Sequence, residues 1–235
     1  MRSKKFRGFL YLFHVVLCAM VFNQQSFAGT WTDAFEDDNT HGWEIINNIN
    51  NSKWWIDAGE PVCETFAPNI PSILATGEVD WRNYSFSCKA KLDKAKGEPA
   101  SFGIILHHRW EEFSFYSFRI FYPWEMVLIT KYNPVGASTV GEFDFPAKLD
   151  IWYTLTASID NRGKLKFQID DAVFTAVDAD PIKNGKAGVI VSNAQVRFDN
   201  VKITGNNIPN GGPGTLSVEP NGNQLATTWG KLKLQ

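Results

Sequence analysis

The densest group of potential acid–base side chains in this sequence is His107-His108-Arg109, followed by Glu111 and Glu112. A histidine beside a carboxylate can act as a general base, and a histidine–arginine pair can equally hydrogen-bond the hydroxyl groups of a ligand. If the segment is a strand, alternation places His107 and Arg109 on one face and His108 on the other. An inert histidine at a strand end, beside an exposed arginine, is the alternative interpretation.

Aromatic side chains follow this cluster at short spacing, with arginines between them. Sugar rings present apolar C–H faces that stack on Trp and Tyr, while Arg, His and Asn hydrogen-bond the sugar hydroxyls. Aromatic residues from 113 to 122 fall on both alternating faces, which predicts a central strand with one face in the core. Each ring is either core packing or a ligand platform. The candidate ligand-binding residues are His107, Arg109, Trp110, Tyr116, Arg119 and Trp124.

The elements that must position these residues are β-strands. No helical period of any length occurs between residues 29 and 205, where short runs of aromatic and β-branched residues are broken by Gly, Pro, Asn and Asp. This pattern predicts an all-β fold, an antiparallel two-sheet sandwich. The predicted strands are 43–46, 53–58, 72–75, 84–92, 101–108, 113–121, 126–132, 152–159, 164–169, 173–176, 187–191 and 196–204.

Residues 1–28 have the order of a secretory signal peptide. Four basic residues precede a largely apolar run from 9 to 22, and a polar stretch closes on Ser26-Phe27-Ala28. The run is shorter than the roughly 18 residues that a spanning helix needs, and an uncleaved anchor is the alternative. The sequence therefore predicts a mature chain of 29–235 that is secreted or periplasmic.

The charge balance excludes some partners. The chain has 23 Lys and Arg against 25 Asp and Glu, and the predicted leader carries four of the basic residues and no acidic one. The mature chain is thus mildly acidic, with no basic field for a phosphate backbone and no polybasic segment for anionic lipid. Neither nucleic acid binding nor membrane insertion after cleavage is expected, and the sequence does not indicate an oligomeric state.

The number of cysteines in the mature protein depends on removal of the same leader. Cys18 leaves with it, so the mature chain keeps Cys63 and Cys88, both in segments with strand character. Two thiols in an oxidising compartment predict one disulfide across neighbouring strands, and two buried free thiols are the alternative.

The composition changes after residue 205. Asn, Pro and Gly dominate from 206 to 214, which predicts a linker that cannot bury enough apolar surface to order itself. Only isolated apolar residues follow it. We therefore predict one sandwich domain over 29–205, then a Gly/Pro/Asn-rich linker and a mobile C-terminal tail over 206–235. That tail is either a sorting or docking segment or an inert remnant.

Several short segments follow one another in an order typical of one group of secreted domains. They are Phe35-Glu36-Asp37-Asp38 with His41-Gly42-Trp43, then 53–59, 81–86, 103–106 with 115–120, 185–189 and 198–203. This order resembles the jelly rolls of the concanavalin A-like lectin/glucanase superfamily. More narrowly, it resembles laminin-G-like and 3-keto-disaccharide-hydrolase-related domains of bacterial exported proteins. The resemblance spans about 33–205 and implies a jelly-roll sandwich.

The resemblance also implies which catalytic pattern to look for. Retaining glucanases of the superfamily carry Glu-x-Asp-x-x-Glu on one strand, where alternate positions put the carboxylates on one face. Here Glu78-x-Asp80-x-x-Asn83 and Glu142-x-Asp144-x-x-Ala147 both lack the final Glu. No nucleophile elbow, His-Glu-x-x-His motif or phosphate loop is present either, so the catalytic residues stay unknown.

A structural calcium ion is a further implication of the resemblance. In many jelly rolls with this segment order, a bound Ca²⁺ links the N-terminal segment to the last strand. Ca²⁺ takes 6–8 oxygen ligands. By this comparison Asp37 or Asp38 would share an ion with Asp199. Exposed turn carboxylates without a metal are the alternative.

Three functions are compatible with these observations. The leading hypothesis is a secreted carbohydrate-binding, lectin-like domain that recognises a glycan on its concave sheet. The alternatives are a glycoside hydrolase of the 3-keto-disaccharide type, implied only by resemblance, and a structural or adhesive module without a small ligand. A hydrolase needs two convergent acid–base groups in a cleft, whereas a lectin needs an open aromatic shelf. Burial of both Tyr116 and Trp124, together with the absence of a concave groove, would contradict the leading hypothesis.

Overall fold

The computed structural model describes residues 28–46, 52–66 and 70–213, which form fifteen β-strands. No helix long and apolar enough to cross a membrane occurs in these ranges. The predicted leader and most of the predicted tail lie outside them. The strands are β1 (Gly29–Asp33), β2 (Trp43–Ile46), β3 (Ser52–Asp57), β4 (Glu60–Thr65), β5 (Ser72–Thr76), β6 (Tyr84–Ala95), β7 (Ala100–Arg109), β8 (Ser114–Tyr122), β9 (Met126–Asn133), β10 (Gly136–Asp144), β11 (Trp152–Ile159), β12 (Lys164–Ile169), β13 (Ala172–Val177), β14 (Lys186–Ser192) and β15 (Ala194–Gly205).

The strands build two antiparallel sheets. The eight-stranded sheet has the order β13-β12-β11-β6-β15-β4-β3, and β1 pairs with β15 as its eighth strand. The seven-stranded sheet has the order β10-β9-β8-β7-β14-β5-β2. The chain crosses between the sheets repeatedly, whereas β7 to β10 follow one another in the seven-stranded sheet and β11 to β13 in the eight-stranded sheet. The predicted all-β two-sheet sandwich is confirmed.

Alternation along the strands fills the space between the sheets. On β6 every second residue from Tyr84 to Leu92 is buried, and the residues between them are more exposed. Across the interface, the ring of Phe118 on β8 lies 5.8 Å from the ring of Phe167 on β12. Fully burying one such side chain contributes about 1.5–3 kcal/mol. The main core therefore lies between the inner faces of both sheets.

The two central strands of the seven-stranded sheet are buried on both faces. Phe102, Ile104 and Leu106 of β7 point into the main core, while Ile105 between them belongs to a second apolar cluster on the opposite side of the sheet. Phe115 of β8 belongs to this second cluster as well. A strand covered on both faces reads as a continuous apolar run, as it does here. The predicted central position of the 113–122 segment is confirmed.

Most strands that the sequence predicts occur within a few residues of their expected bounds. The predicted spans 43–46, 152–159 and 164–169 are the same as the observed ones. The sequence analysis missed β1, β4 and β10, because each begins with Gly or contains Pro and carries many polar residues. Pairing with a neighbouring strand, rather than intrinsic propensity, makes these segments extended.

The segment from 206 to 213 differs from the linker that we predicted. The backbone of Gly211 accepts a hydrogen bond from Thr32 and donates one to Thr30, so it extends the eight-stranded sheet beyond β1. Ile208 is buried in the main core. Backbone pairing with β1, rather than apolar side chains, orders this segment. Residues 214–235 lie outside the described residues.

The predicted disulfide between Cys63 and Cys88 is wrong, because both thiols are free. Cys63 on β4 and Cys88 on β6 both face the core, but β15 lies between these two strands. Two strand spacings amount to roughly 9–10 Å, beyond the roughly 7 Å between Cα atoms that a disulfide can span. Burial raises the pKa of Cys63 to about 12 and raises that of Cys88 as well.

These buried, protonated thiols should be inert in the folded protein. We expect iodoacetamide to modify neither Cys63 nor Cys88 under native conditions, and both after denaturation without a reductant. Mass spectrometry of the two tryptic peptides measures this directly. The melting temperature should also be the same with and without dithiothreitol. A lower melting temperature in dithiothreitol would show instead that Cys63 and Cys88 form a disulfide.

Candidate functional site

The candidate site lies on the outer face of the seven-stranded sheet, the side turned away from the eight-stranded sheet. Strand register defines this face, because residues two apart on one strand share a side and paired residues on neighbouring strands share it too. Its members over the central strands are Ser101, Gly103, Ile105 and His108 of β7, Phe115, Ser117, Arg119 and Phe121 of β8, Leu128, Thr130 and Tyr132 of β9, and Gly188, Ile190 and Ser192 of β14.

Arg119 lies at the centre of the outer face. Its Nη2 donates a 2.7 Å hydrogen bond to the Tyr132 hydroxyl, and its Nη1 donates a 3.4 Å bond to the Ser101 hydroxyl. The guanidinium also lies over the ring of Phe121, 4.8 Å from the ring centroid. Burial lowers the pKa of Arg119, which nevertheless stays protonated because free guanidinium titrates far above neutral pH. The outer face therefore holds a fixed positive charge among aromatic rings.

Gly103 lies next to Arg119 and allows two strands to approach closely. It pairs with Arg119 across β7 and β8 and presents no side chain to the outer face. A Cβ built at this position would lie only 1.9 Å from the carbonyl oxygen of Phe118, so no other residue fits this backbone. The glycine is therefore required by the close approach of β7 and β8.

Aromatic rings border one end of the outer face. Phe115 and Tyr132 stack almost in parallel, with ring centroids 4.4 Å apart and an interplanar angle of 7°. The row continues through His108, which lies 5.5 Å from Phe115, to Trp110 at 6.3 Å from His108. Trp110 is 55% exposed, so its ring is available for stacking. The predicted platform at Trp110 agrees with this position.

A second exposed tryptophan borders the other end of the outer face. Trp124 lies in the turn between β8 and β9 and stacks on Phe121, with ring centroids 6.3 Å apart and an interplanar angle of 15°. It is 51% exposed. The structure therefore brings Arg119, Trp110 and Trp124 of the predicted set to one side of the sheet.

Hydroxyl groups line the floor between these ends. Ser101, Ser117, Thr130 and Ser192 are all buried, on neighbouring strands of the outer face. Among the described residues, the Oγ atoms of Ser117 and Ser192 and the buried Nε of Arg119 have no hydrogen-bond partner. A buried polar atom without a partner costs roughly 1–3 kcal/mol. Such atoms are uncommon in native proteins, and these three lie on one face.

His107 and Arg109 do not reach the outer face, contrary to the prediction. A β-bulge between Leu106 and Arg109 inserts an extra residue, and His107 takes a φ of 55° there. The His107 backbone N donates to the Tyr84 hydroxyl, and its Nδ1 donates to the Ile182 carbonyl at 2.6 Å. The bulge reverses the alternation after Leu106, so that His108 takes the outward position instead.

The two side chains hold the segment between β13 and β14 in place. Burial lowers the pKa of His107 to about 4, which leaves a neutral ring locked against Ile182. Arg109 donates to Asn184 in that segment at 3.1 Å and also pairs with Glu112. Both side chains therefore have a structural role, which agrees with the alternative interpretation of the His107–Arg109 cluster as inert.

Tyr116 is also not a ligand platform, because it is fully buried in the core. Its hydroxyl donates to the Asp178 carboxylate at 2.5 Å and accepts a hydrogen bond from the Ile182 backbone at 3.1 Å. Burial opposes the negative charge of Asp178, but hydrogen bonds from Lys131 and Tyr116 outweigh it and lower the pKa of that carboxyl. Tyr116 therefore anchors the same segment that His107 and Arg109 hold.

Sequence reasoning missed His108, Phe115, Phe121 and Tyr132 as members of the candidate site. The two phenylalanines share the alternating face of Arg119, and this was the available signal for them. Tyr132 is brought in only by pairing of β8 with β9. Burial lowers the pKa of His108 to about 4, so its ring is neutral at neutral pH and cannot serve as a charged acid.

The carboxylates do not converge on the centre of the outer face. Glu142 and Asp144 lie on this side of β10, an edge strand, and both are exposed. Glu44 lies on β2, the opposite edge strand, and pairs with Lys186 at 2.7 Å. Within the described ranges, no two carboxylates face each other across the central strands.

Two depressions lie away from the outer face. The larger, about 600 Å³, lies on the eight-stranded sheet and is lined mainly by hydroxyl, amide and lysine side chains, including Ser85, Ser158 and Lys166. The smaller, about 430 Å³, lies at one end of the sandwich and is lined by Trp31, Trp43 and Trp81 among others. Neither contains a predicted ligand-binding residue.

The calcium prediction stays a prediction. Asp199 accepts two hydrogen bonds from Asn200 at 2.6 Å, and Asp37 accepts one from Asn39. Over the described part of the chain, no group of three or more His, Cys, Asp or Glu side chains could hold a metal ion. Calcium also takes backbone carbonyls and water, so two carboxylates can still take part.

Comparison with known proteins supports the fold. No family model and no curated protein matches the sequence. A carbohydrate-binding module, CBM66 from Bacillus subtilis, shares 18% identity over 68% of this chain and 94% of its own, with a TM-score of 0.59. A β-glucanase from Bacillus licheniformis shares 12% identity over 75% of this chain and 98% of its own, with a TM-score of 0.57.

A protein of unknown function with a galectin-like fold from Bacillus subtilis also matches. It shares 8% identity over 74% of this chain and 94% of its own, with a TM-score of 0.55. At such low identities the likeness concerns the fold alone. The chain therefore adopts a concanavalin A-like jelly-roll sandwich, which confirms the predicted fold class.

The corrected position of Tyr116 gives a test by substitution. Tyr116→Phe removes both hydrogen bonds of the hydroxyl and should lower the free energy of unfolding by about 1–3 kcal/mol, measured by urea denaturation. Tyr122→Phe, whose half-buried hydroxyl has no hydrogen-bond partner among the described residues, should change it by less than about 0.5 kcal/mol. Unchanged stability of Tyr116→Phe would contradict the anchoring role.

The calcium prediction is tested by thermal unfolding. If Asp199 helps to bind an ion, adding Ca²⁺ to chelator-treated protein should raise the melting temperature, because a ligand of the native state stabilises it. Asp199→Asn should abolish this increase. Identical melting curves with Ca²⁺ and with chelator would refute the prediction.

Proposed function

We propose that this protein binds carbohydrate on the outer face of the seven-stranded sheet. The observation that carries the proposal is Arg119, a fixed cation at the centre of the face, held against Tyr132 and Phe121. Aromatic rings supply apolar area for the C–H faces of a sugar, and the guanidinium and hydroxyls orient its oxygens.

The two exposed tryptophans extend this arrangement. Trp110 and Trp124 border the outer face at opposite ends, so an extended glycan could contact both. A ligand that covers the whole face suits a chain of several sugar units better than a single one. Burial of Tyr116 and Trp124 together was part of the condition that would have contradicted carbohydrate binding. Tyr116 is buried but Trp124 is exposed, so that condition is not fulfilled.

The solved structures of similar fold are consistent with the proposal. They include a protein described as a carbohydrate-binding module and one described as a β-glucanase. Between these two classes, binding without hydrolysis fits the described residues better, because no pair of carboxylates flanks Arg119. Hydrolysis of the 3-keto-disaccharide type is the alternative, and release of sugar products would reveal it.

We propose that the protein acts outside the cytoplasm, where extracellular polysaccharide occurs. It rests on the leader-like residues 1–28, and cell fractionation with N-terminal sequencing of the mature protein tests it.

Glycan binding can be measured by affinity electrophoresis in gels that contain soluble polysaccharides, supported by a glycan array. Trp124→Ala should weaken binding about 10–100-fold, because a buried aromatic contact typically contributes about 2 kcal/mol or more. Trp110→Ala should weaken binding to long chains more than to short ones, since only a long chain reaches both ends of the face.

Trp55→Ala is the matched control. Trp55 is also partly exposed, at 37%, but it lies on β3 of the other sheet. It should leave binding unchanged. Equal losses in Trp55→Ala and Trp124→Ala, or no binding to any glycan by the wild-type protein, would overturn the proposed function.

A further inference from the structure

Arg119 differs from the other arginines that the structure describes. Arg197 forms ion pairs with Asp57, Glu60 and Asp93 at 2.7–3.1 Å, and Arg109 pairs with Glu112. Arg82 and Arg162 are exposed to solvent. Arg109, Arg119 and Arg197 are all partly buried, and Arg119 alone among these three has no carboxylate partner, since its hydrogen bonds go only to hydroxyl groups.

A partly buried cation without an anion is energetically unfavourable. Removing a charge from water costs several kcal/mol unless a counter-charge and hydrogen bonds replace the lost hydration. The Tyr132 and Ser101 hydroxyls replace only part of it, and Nε has no partner at all. A methionine or leucine would fill the same place without this cost, so packing alone does not account for an arginine here.

The free hydrogen-bond donors of Arg119 match a carboxylate. The two terminal nitrogens carry four N–H groups, of which one on each nitrogen is already used by Tyr132 or Ser101. One N–H on each terminal nitrogen remains, and both lie in the guanidinium plane. Two coplanar donors are what a carboxylate accepts in bidentate pairing.

The surroundings suit a sugar that carries this group. Phe121 and the Phe115–Tyr132 stack provide ring surfaces near the guanidinium. The unpartnered hydroxyls of Ser117 and Ser192 lie on the same face. Within the described ranges, the nearest carboxylates by register are those of β10, an exposed edge strand, and none forms an ion pair with Arg119.

We infer that the outer face selects glycans bearing a carboxylate, with Arg119 as the residue that binds it. This inference rests on the proposed function and narrows its ligand to acidic sugars, either uronic acids or sialic acids. The sugar carboxylate completes the ion pair that the described residues do not supply.

The test compares one polymer in two charge states. Binding of the full-length protein to polygalacturonate and to its fully methyl-esterified form is measured by isothermal titration calorimetry, together with sialylated and sulfated glycans on an array. We expect the acidic form to bind about 10–100-fold more tightly than the ester, or the sialylated glycans to bind more tightly than their asialo forms. Sulfated glycans without carboxylates should bind more weakly than the preferred acidic sugar.

Arg119→Met separates a binding role from a structural one. It should abolish the preference for the acidic form and, because it removes an uncompensated charge, should raise the melting temperature. Arg197→Met is the matched control: it breaks a network of three ion pairs on the other sheet, so it should lower the melting temperature and keep the preference. A destabilised Arg119→Met variant that still prefers acidic glycans would overturn the inference.

The failure of the inference and of the proposed function are distinguishable. Equal binding of neutral and acidic glycans, lost in Trp124→Ala, would refute carboxylate selection and leave carbohydrate binding intact. Equal binding of sulfated and carboxylated glycans would refute selection of the carboxylate as such. Binding of no glycan, or of acidic peptides only, would refute both.

Discussion

The burial of β7 and β8 on both faces is the constraint on which the rest of the structure depends. Their inward residues meet the eight-stranded sheet, and their outward residues form the floor and rings of the outer face. The same two strands therefore build the core and the candidate site. A backbone held from both sides moves little, and a rigid scaffold is what a preorganised binding face requires.

Arg119 introduces a conflict between stability and binding into this rigid framework. Its charge is not neutralised by any of the described residues, and the hydroxyls of Ser117 and Ser192 on the same face also lack partners among them. Natural proteins retain such locally unfavourable groups mainly at functional sites. Other polar side chains have their partners within the protein. Arg197 has three carboxylate partners, and the Tyr116 hydroxyl donates to Asp178. The contrast points to Arg119 more specifically than the abundance of aromatic residues does.

The sequence analysis located the right segment but assigned several of its residues to the wrong side. His107 and Arg109 were expected to contact the ligand, but the β-bulge after Leu106 turns them away from the outer face and brings His108 to it. Tyr116 was misassigned because β8 is apolar on both faces, so its pattern alone does not identify the core side. Cys63 and Cys88 were paired because both segments have strand character, although β4 was not among the predicted strands and the order of strands in the sheet was not known.

The sequence by itself determined the all-β class, most strand positions and the central place of the aromatic segment, because period-two alternation and turn residues are local properties of the chain. It also placed Arg119, Trp110 and Trp124 among the candidates. Only the tertiary structure decided which face of β8 is turned outward, that Tyr132 meets Arg119, and that no carboxylate within the described ranges pairs with Arg119. These facts depend on register and strand order, which arise from contacts between residues far apart in the sequence.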